Sequence, residues 1–333
     1  MIQEKNKIRV LVTGSSGFIG SYLVKELIKR EWEVNVLIRE STDTTWLSNQ
    51  KLNFKQGDYS RVESLKLAVS DMDYIFHLGA IINAQQWETF YDVNALGTKN
   101  LLTACACSNP GLKKFIFVSS IAASGPSIKG KLKTEVDQCL PTSLYGKSKW
   151  AAEKFVHEYM DLFPAVIIRP SNVLGFGQKE LTTMIKLVKK RIFPQLGNGD
   201  KQTSICFVED VVAGLIVAAE SEKSTGKTYF ITDNNQYSWR ELINEIAQNL
   251  KVTPYVFKVP YPILYLIGLI SDLVAQVLRT SPLVSRSDMV STRKLYWLFS
   301  NEKIKRELGF VTRVDFREGI KDIIDKSVKA GII

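Results

Sequence analysis

The sequence predicts an α/β fold: a doubly wound parallel sheet with helices on both faces, followed by a smaller C-terminal region. Three observations carry that expectation. Short β-branched runs alternate with helix-period segments through the first half of the chain. The runs are almost wholly apolar, as strands covered on both faces must be. A glycine-rich turn stands between the first strand and the first helix. With 45% hydrophobic and 23% charged residues, the chain can bury a core and is not disordered. At 333 residues it holds one large domain, or a main domain with a smaller companion.

Taken in order, KIRVLVTG, EVNVLIR, LNFKQGD, DYIFHLGA, KKFIFVSS and AVIIRP read as strands. Segments 18–31, 60–70, 87–108 and 146–163 have helical periodicity between them. After Pro170 the alternation loosens. A helix over 178–191 leads through a Gly-rich turn to a strand and a helix, then to KTYFITD (227–233) and a helix over 238–250. The apolar stretch VPYPILYLIGLISDLVAQVL (259–278) is opened by Pro260 and Pro262 and interrupted by Asp272, which argues against a membrane span. The plain reading is a buried helix of the small domain, the alternatives being a lid over an apolar substrate or a helix making a peripheral membrane contact.

The net charge of +10 suits an anionic ligand or surface. The basic residues are dispersed, with small clusters at 186–191 and 301–308, and no aromatic residues interleave with them. No nucleic-acid partner is therefore expected. Cys105, Cys107, Cys139 and Cys206 form no C-x-x-C pair, and His77 and His157 are the only histidines, so no metal site is expected. Reduced thiols and an N-terminus without a secretory pattern predict a cytoplasmic protein, membrane-associated if 259–278 binds lipid.

The loop TGSSGFIG places Gly14, Gly17 and Gly20 directly after the first strand. Gly14 permits the tight turn, Gly17 lets the backbone approach a ligand, and Gly20 lets the helix pack closely on the sheet. Phosphates suit the helix N-terminus that follows. This predicts dinucleotide binding. At the end of the second strand an NAD site commonly has an acid for the ribose 2′-hydroxyl, but here Arg39 follows Ile38 and Glu40 is displaced. Arg39 suits a 2′-phosphate, so NADP(H) is preferred to NAD(H), the plain alternative being an exposed strand-end arginine. The domain expectation is 1–173 for dinucleotide binding, with 204–233 returning to it. Residues 174–203 and 234–333 are expected to form a smaller substrate-binding domain.

Tyr145 and Lys149 stand four apart in YGKSK and share a helix face. A free phenol titrates near about 10, and a neighbouring cation lowers that value. The pair is either a tuned proton donor and acceptor or a surface tyrosine beside a solvated lysine.

The ordered set TGSSGFIG, Asp58 in GDYS, HLGA (77–80), DVNALGTKNLL (92–102), FVSSIAASGP (117–126), YGKSK and RPSNVLGFG (169–177) resembles the extended short-chain dehydrogenases/reductases. These are the Rossmann-fold superfamily of NAD-dependent epimerases/dehydratases and 3β-hydroxysteroid dehydrogenases. The resemblance implies a catalytic Ser120–Tyr145–Lys149 set, with Ser119 the nearest alternative hydroxyl. It implies that Ser16, Phe18 and Ile19 join the glycines at the cofactor, that Asp58 meets its adenine, that Leu78, Gly79 and Ala80 pass beside the cofactor, and that Tyr59 and Val118 also bind it. Asn94 would support the site, Pro170 and Val173 would line the nicotinamide end, and Tyr145 and Lys149 would also touch cofactor. A homodimer through 87–108 and 146–163 is a family-level expectation.

For the substrate, nucleotide-sugar enzymes of this superfamily often carry a diphosphate-binding Arg where this chain has Thr203, although Lys201 is near. The motif FVSSIAASGP and the apolar 259–278 stretch look most like the 3β-hydroxysteroid dehydrogenase branch. The resemblance thus implies oxidoreduction between a secondary alcohol and a ketone on a small lipid-like or sterol-like molecule. A nucleotide-sugar epimerase, dehydratase or reductase is the alternative, and a non-catalytic NAD(P)-sensing regulator the second.

Overall fold

The computed structural model describes residues 7–40, 51–196, 199, 201–233, 235–260, 262–263, 266, 268–271 and 296–333. Its strands are β1 (Arg9–Thr13), β2 (Glu33–Ile38), β3 (Asn53–Gln56), β4 (Tyr74–His77), β5 (Lys114–Val118), β6 (Ala165–Pro170) and β7 (Asn172–Leu174). The later ones are β8 (Ile192–Leu196), β9 (Gln202–Thr203), β10 (Ile205–Phe207), β11 (Lys227–Ile231), β12 (Tyr237–Ser238) and β13 (Tyr255–Val259). Seven of these form one parallel sheet in the order β11-β6-β5-β4-β1-β2-β3.

Both faces of that sheet are covered, which explains the continuous apolar runs. Val10 and Val12 of β1 face α1 (Phe18–Lys29) and α8 (Val208–Glu220), joining Val34, Phe76, Ile116 and Ile168 in one core. Leu11 between them points the other way, into a second core with Ile75, Phe115, Phe117 and Ile167. There it meets α2 (Val62–Val69), α4 (Gly97–Ser108) and α6 (Leu144–Tyr159) through Leu65, Leu101, Ala152 and Val156. Alternate residues therefore go to opposite faces, as the strand period of two requires. Each such aliphatic side chain is worth roughly 1.5–3 kcal/mol of burial; the edge strand β3 differs, with Asn53, Phe54 and Gln56 exposed.

Smaller elements gather around a third core of Leu181, Ile185, Leu242, Ile246, Ile320 and Ile324. These come from α7 (Lys179–Lys189), α9 (Trp239–Leu250) and the last helix, Phe316–Lys329. Two-stranded pairs β10–β7, β12–β9 and β13–β8 border it. α9 is well started: Ser238 accepts from the Glu241 amide and the Glu241 carboxylate accepts from the Ser238 amide, a reciprocal cap.

Two local differences from the sequence reading have physical causes. The helix over 87–108 is not uniform: α3 (Trp87–Phe90) widens into a π-helical turn at Tyr91–Leu96 before α4 begins. At the junction Thr98 Oγ1 donates to the Asn94 carbonyl, a side-chain bond that periodicity does not register. The 259–278 stretch begins as the last residue of β13, with helix at 262–263, 266 and 268–271, and 272–278 lie outside the described residues. Among the described residues no helix is long and apolar enough to cross a membrane.

Candidate active site

The sheet order reverses around β1, whose neighbours are β2 on one side and β4 on the other. Ligands of open α/β sheets bind at such a switch, beyond the carboxyl ends of the strands. The loops after β1, β4 and β5 all open there.

After β1 the chain turns at Gly14, whose φ of +68° is the left-handed conformation glycine tolerates best. A side chain there would also run into the Gly79 amide and the Leu78 carbonyl carbon, at 2.7 and 2.8 Å. Gly17 begins α1, its amide bonded to the Gly14 carbonyl at 3.0 Å, and no side chain caps the helix. The N–H groups of Phe18, Ile19 and Gly20 have no carbonyl one turn back within the helix. The loop thus fits a pyrophosphate by close backbone approach and by N–H direction. Gly20 corrects the sequence reading in one respect: it presses on the Gly14 carbonyl and Ser15, within the loop itself, rather than on the sheet.

Beneath this loop runs a buried hydrogen-bond chain. Thr98 spends its one proton on the Asn94 carbonyl at 2.7 Å, so His77 Nε2–H is the donor in its 2.9 Å contact with Thr98 Oγ1. His77 Nδ1 then accepts from Thr13 Oγ1 at 2.7 Å. Thr13 accepts in turn from the Gly79 amide at 3.2 Å and bonds the Tyr59 hydroxyl. Burial, followed by the charge of Lys149, holds His77 well below the usual imidazole range, in keeping with a neutral ring. Tyr59 occupies the space a side chain at Gly79 would need. Asp58 accepts from the Ser60 amide and hydroxyl, both at 2.7 Å, and these bonds lower its pKa. Arg39 lies exposed at the end of β2, near enough for its charge to act on Asp58 and Tyr59.

Ser120, Tyr145 and Lys149 come together at the end of β5. Ser120 caps the short helix α5 (Ile121–Ser124), accepting from the Ala122 amide at 3.1 Å, and its side chain also hydrogen-bonds Tyr145. Gly146 explains how close α5 and α6 stand: any side chain there would overlap the Ala122 carbonyl. Asn94, on the π turn, donates to the Ile81 carbonyl and to Ser148 Oγ, each at 2.9 Å, and accepts from the Ile81 amide at 2.8 Å. It therefore ties the loop after β4 to α6, whose Ser148 hydroxyl donates to the Tyr145 carbonyl. Ser119 points elsewhere, donating to Glu153 at 2.5 Å; of the two serines, only Ser120 reaches the phenol.

Electrostatics reverse one expectation. Burial pushes the Tyr145 phenol up to about 12, with the Ser120 bond pulling it down, so the net lowering expected from a neighbouring cation is not found. Lys149 is 1% exposed with its amine 4.2 Å from the centre of the Phe117 ring. Burial lowers its pKa to about 7, with Glu153 opposing. In this state the phenol holds its proton and the amine titrates near neutrality.

Pro170 ends β6, buried, where β6 pairs with β11, and Val173 lies half-buried in β7. Past them a recess is lined by Asn172, Leu174, Thr203, Ile205, Tyr237, Ser238, Trp239, Leu242 and Phe316. Asn172 Nδ2 donates to Thr203 Oγ1 at 2.6 Å. Tyr237 and Phe316 stack with ring centres 4.2 Å apart. Sequence reasoning missed Tyr237, Trp239 and Phe316, and no local pattern marks them. It also missed Glu153 and Arg169, for which a signal exists: a carboxylate four residues past Lys149, and an arginine inside the apolar run AVIIRP. Among the described residues no group of His, Cys, Asp and Glu could hold a metal ion, and all four cysteines are free thiols.

A Rossmann-like seven-stranded sheet with these loops at its switch point defines a dinucleotide-type α/β protein. The chain belongs to the NAD dependent epimerase/dehydratase family, whose pattern it matches over residues 10–232. It is 27% identical to a mouse protein named sterol-4-alpha-carboxylate 3-dehydrogenase, decarboxylating, over 93% of this chain and 88% of that one. It is 28% identical to UDP-glucose 4-epimerase of Vibrio cholerae, over 75% and 78% of the two chains. The crystal structure of gox2253 superposes with a TM-score of 0.80 at 27% identity, covering 98% of this chain and 100% of that one.

The depressed amine has a measurable consequence. Lys149 falls from 10.5 to about 7 on folding, so between those values the unfolded chain binds the extra proton and stability rises with pH. Against a Lys149→Met variant, the wild-type melting temperature is expected to gain steadily from pH 7 towards pH 10, by scanning calorimetry. A difference that stays flat would contradict the buried amine.

Proposed function

We propose that the protein is an NAD(P)-dependent oxidoreductase that interconverts a secondary alcohol and a ketone on an apolar, lipid-like or sterol-like substrate. The observation that carries the reading is the Ser120–Tyr145 hydrogen bond beside a buried Lys149, at the mouth where the glycine loop also opens. A bound nicotinamide would supply or accept the hydride. The chain's own residues would handle the proton. Ser120 would hold the substrate oxygen and stabilise charge developing on it. Tyr145, protonated in this state, would donate to a carbonyl and become a phenolate; in the reverse direction that phenolate would receive the alcohol proton. Lys149 would bias the phenol and hold ribose hydroxyls.

The glycine loop would carry the pyrophosphate, with Ser16, Phe18 and Ile19. Asp58 and Tyr59 would meet the adenine end, and Leu78, Gly79, Ala80, Val118, Pro170 and Val173 would pass along the cofactor. Arg39, exposed beside Asp58, supports NADP(H) over NAD(H).

The substrate class rests on the residue type at position 203, and the small recess beside Thr203 is apolar. Its walls are chiefly Leu174, Ile205, Trp239, Leu242 and the stacked Tyr237–Phe316 pair. The Asn172 amide is engaged with Thr203 and not turned to a ligand. No cation stands at 203 for a diphosphate. The sterol-enzyme name of the mouse relative supports the same class. Lys201, half-buried beside β9, favours the nucleotide-sugar reading, as does the name of the Vibrio relative.

Turnover should depend on the phenol. Tyr145→Phe is expected to keep fold and cofactor affinity while kcat falls by at least ~100-fold, the scale of general acid–base loss; near-wild-type kcat would sink the assignment. Arg39→Ala should weaken NADPH binding more than NADH binding, by roughly 1–3 kcal/mol for a charge-assisted contact. Equal losses in fluorescence titrations of the two reduced cofactors would show that Arg39 does not read the 2′-phosphate. A thermal-shift screen with cofactor present should respond to 3β-hydroxysteroids or long-chain hydroxy and keto compounds, and little to UDP- and dTDP-sugars. The opposite pattern would transfer the assignment to a nucleotide-sugar enzyme.

A further inference from the structure

Glu153 follows Lys149 by one turn and Tyr145 by two on the same face of α6, and it is 1% exposed. The proton-transfer scheme above does not use it. Its carboxylate nevertheless joins three elements. Oε1 accepts from Ser119 Oγ at 2.5 Å and from Arg169 Nε at 2.9 Å, and Oε2 accepts from Arg169 Nη2 at 2.6 Å. Ser119 is the chain neighbour of Ser120, and its amide is fixed to the Ile168 carbonyl of β6 at 2.7 Å. Arg169 is itself buried in β6 and also reaches Cys139 Sγ at 3.2 Å.

We infer that Glu153 is the positioning residue of the Ser120–Tyr145–Lys149 set. Through Ser119 and Arg169 it fixes where α6 stands against the ends of β5 and β6, and it sets a carboxylate one helical turn from the buried Lys149. The role in turnover rests on the proposed Ser–Tyr–Lys function; the coupling of Glu153 to Lys149 is measurable without it.

A clamp alone would not require charge. Buried ion pairs are weak sources of stability, and apolar residues of the same volume often serve as well. What an apolar trio would lack is a negative charge one helical turn from a buried amine. Lys149 faces the Phe117 ring from β5 and neutral His77 from β4, with Tyr145 and Glu153 on its own helix and Arg169 of β6 behind Glu153. Among these ionisable groups Glu153 is the one whose charge favours the ammonium form, against the burial that disfavours it. Without it, Arg169 would also be left uncompensated in the same volume, adding repulsion.

The test needs neither substrate nor cofactor. The full-length protein, labelled with 13C at lysine Cε, is titrated by NMR, and Lys149 is identified as the low-pKa resonance lost in Lys149→Met. Glu153→Gln is expected to move the Lys149 midpoint down by about one pH unit or more, as removal of a close opposite charge does. Glu153→Asp, which keeps the charge, should bring it back towards the wild-type value. Should Glu153→Gln fail to fold, the double variant Glu153→Gln/Arg169→Gln keeps the amide contacts without either charge, and a downward shift is again expected. A midpoint unmoved in a folded variant, or a wild-type Lys149 titrating in the ordinary lysine range, overturns the inference. The two readings fail separately: undiminished kcat in Tyr145→Phe removes the catalytic one and leaves this coupling standing, and an unmoved midpoint does the reverse.

Discussion

The contact on which the geometry of the site depends is the ion pair between Arg169 and Glu153. Its side chains are 5% and 2% exposed, and both carboxylate oxygens are used. Deleting one partner of such a pair costs about 3–5 kcal/mol because the other charge is stranded, which is a large share of a typical domain's ~5–15 kcal/mol. The pair therefore cannot slip without threatening the fold, and the fold holds α6 in one register against β6. From that fixed helix the rest follows. Gly146 admits α5 to van der Waals range, α5 brings Ser120 to Tyr145, and Asn94 ties the loop after β4 to the same helix at Ser148.

A second set of bonds works without formal charge. The chain from Asn94 through Thr98, His77 and Thr13 to Gly79 and Tyr59 uses each hydroxyl proton once, and it determines which imidazole nitrogen carries hydrogen. It joins α4, β4, β1 and the loop after β3 directly beneath the glycine turn. A neutral, doubly bonded histidine is stiffer than a solvated one and does not add charge below the phosphate loop. Lys149 is then the ionisable group near the phenol that changes state around neutral pH.

Much of this was legible in the sequence, for reasons visible in particular residues. The strands through AVIIRP, apart from the exposed edge strand β3, were readable because double-sided burial forces near-continuous apolar runs, and Gly14 because a φ of +68° beside the Gly79 backbone leaves little room for a side chain. The fine placement was not readable. The π turn lies where Asn94 and Thr98 make side-chain bonds, which composition does not disclose. β8 and β13, whose paired residues such as Ile192 and Tyr255 stand far apart in sequence, become strands only by pairing with each other. Periodicity places Tyr145 and Lys149 on one face but says nothing of depth, and depth decides their titration: burial, not the lysine, sets the phenol near 12.

The candidate catalytic set and the small apolar recess come from different stretches of chain. The turn at Gly14, the residues after β4, Ser120 and the Tyr145–Lys149 pair all lie before residue 150, held by the main sheet. The recess is assembled from 172–174, 203–205, 237–242 and Phe316, on short strands and helix ends around a separate core. Mutations that reshape the second set need not disturb the buried charges that hold the first. Such an arrangement lets one stretch of gene drift without putting the buried charges encoded by the other at risk.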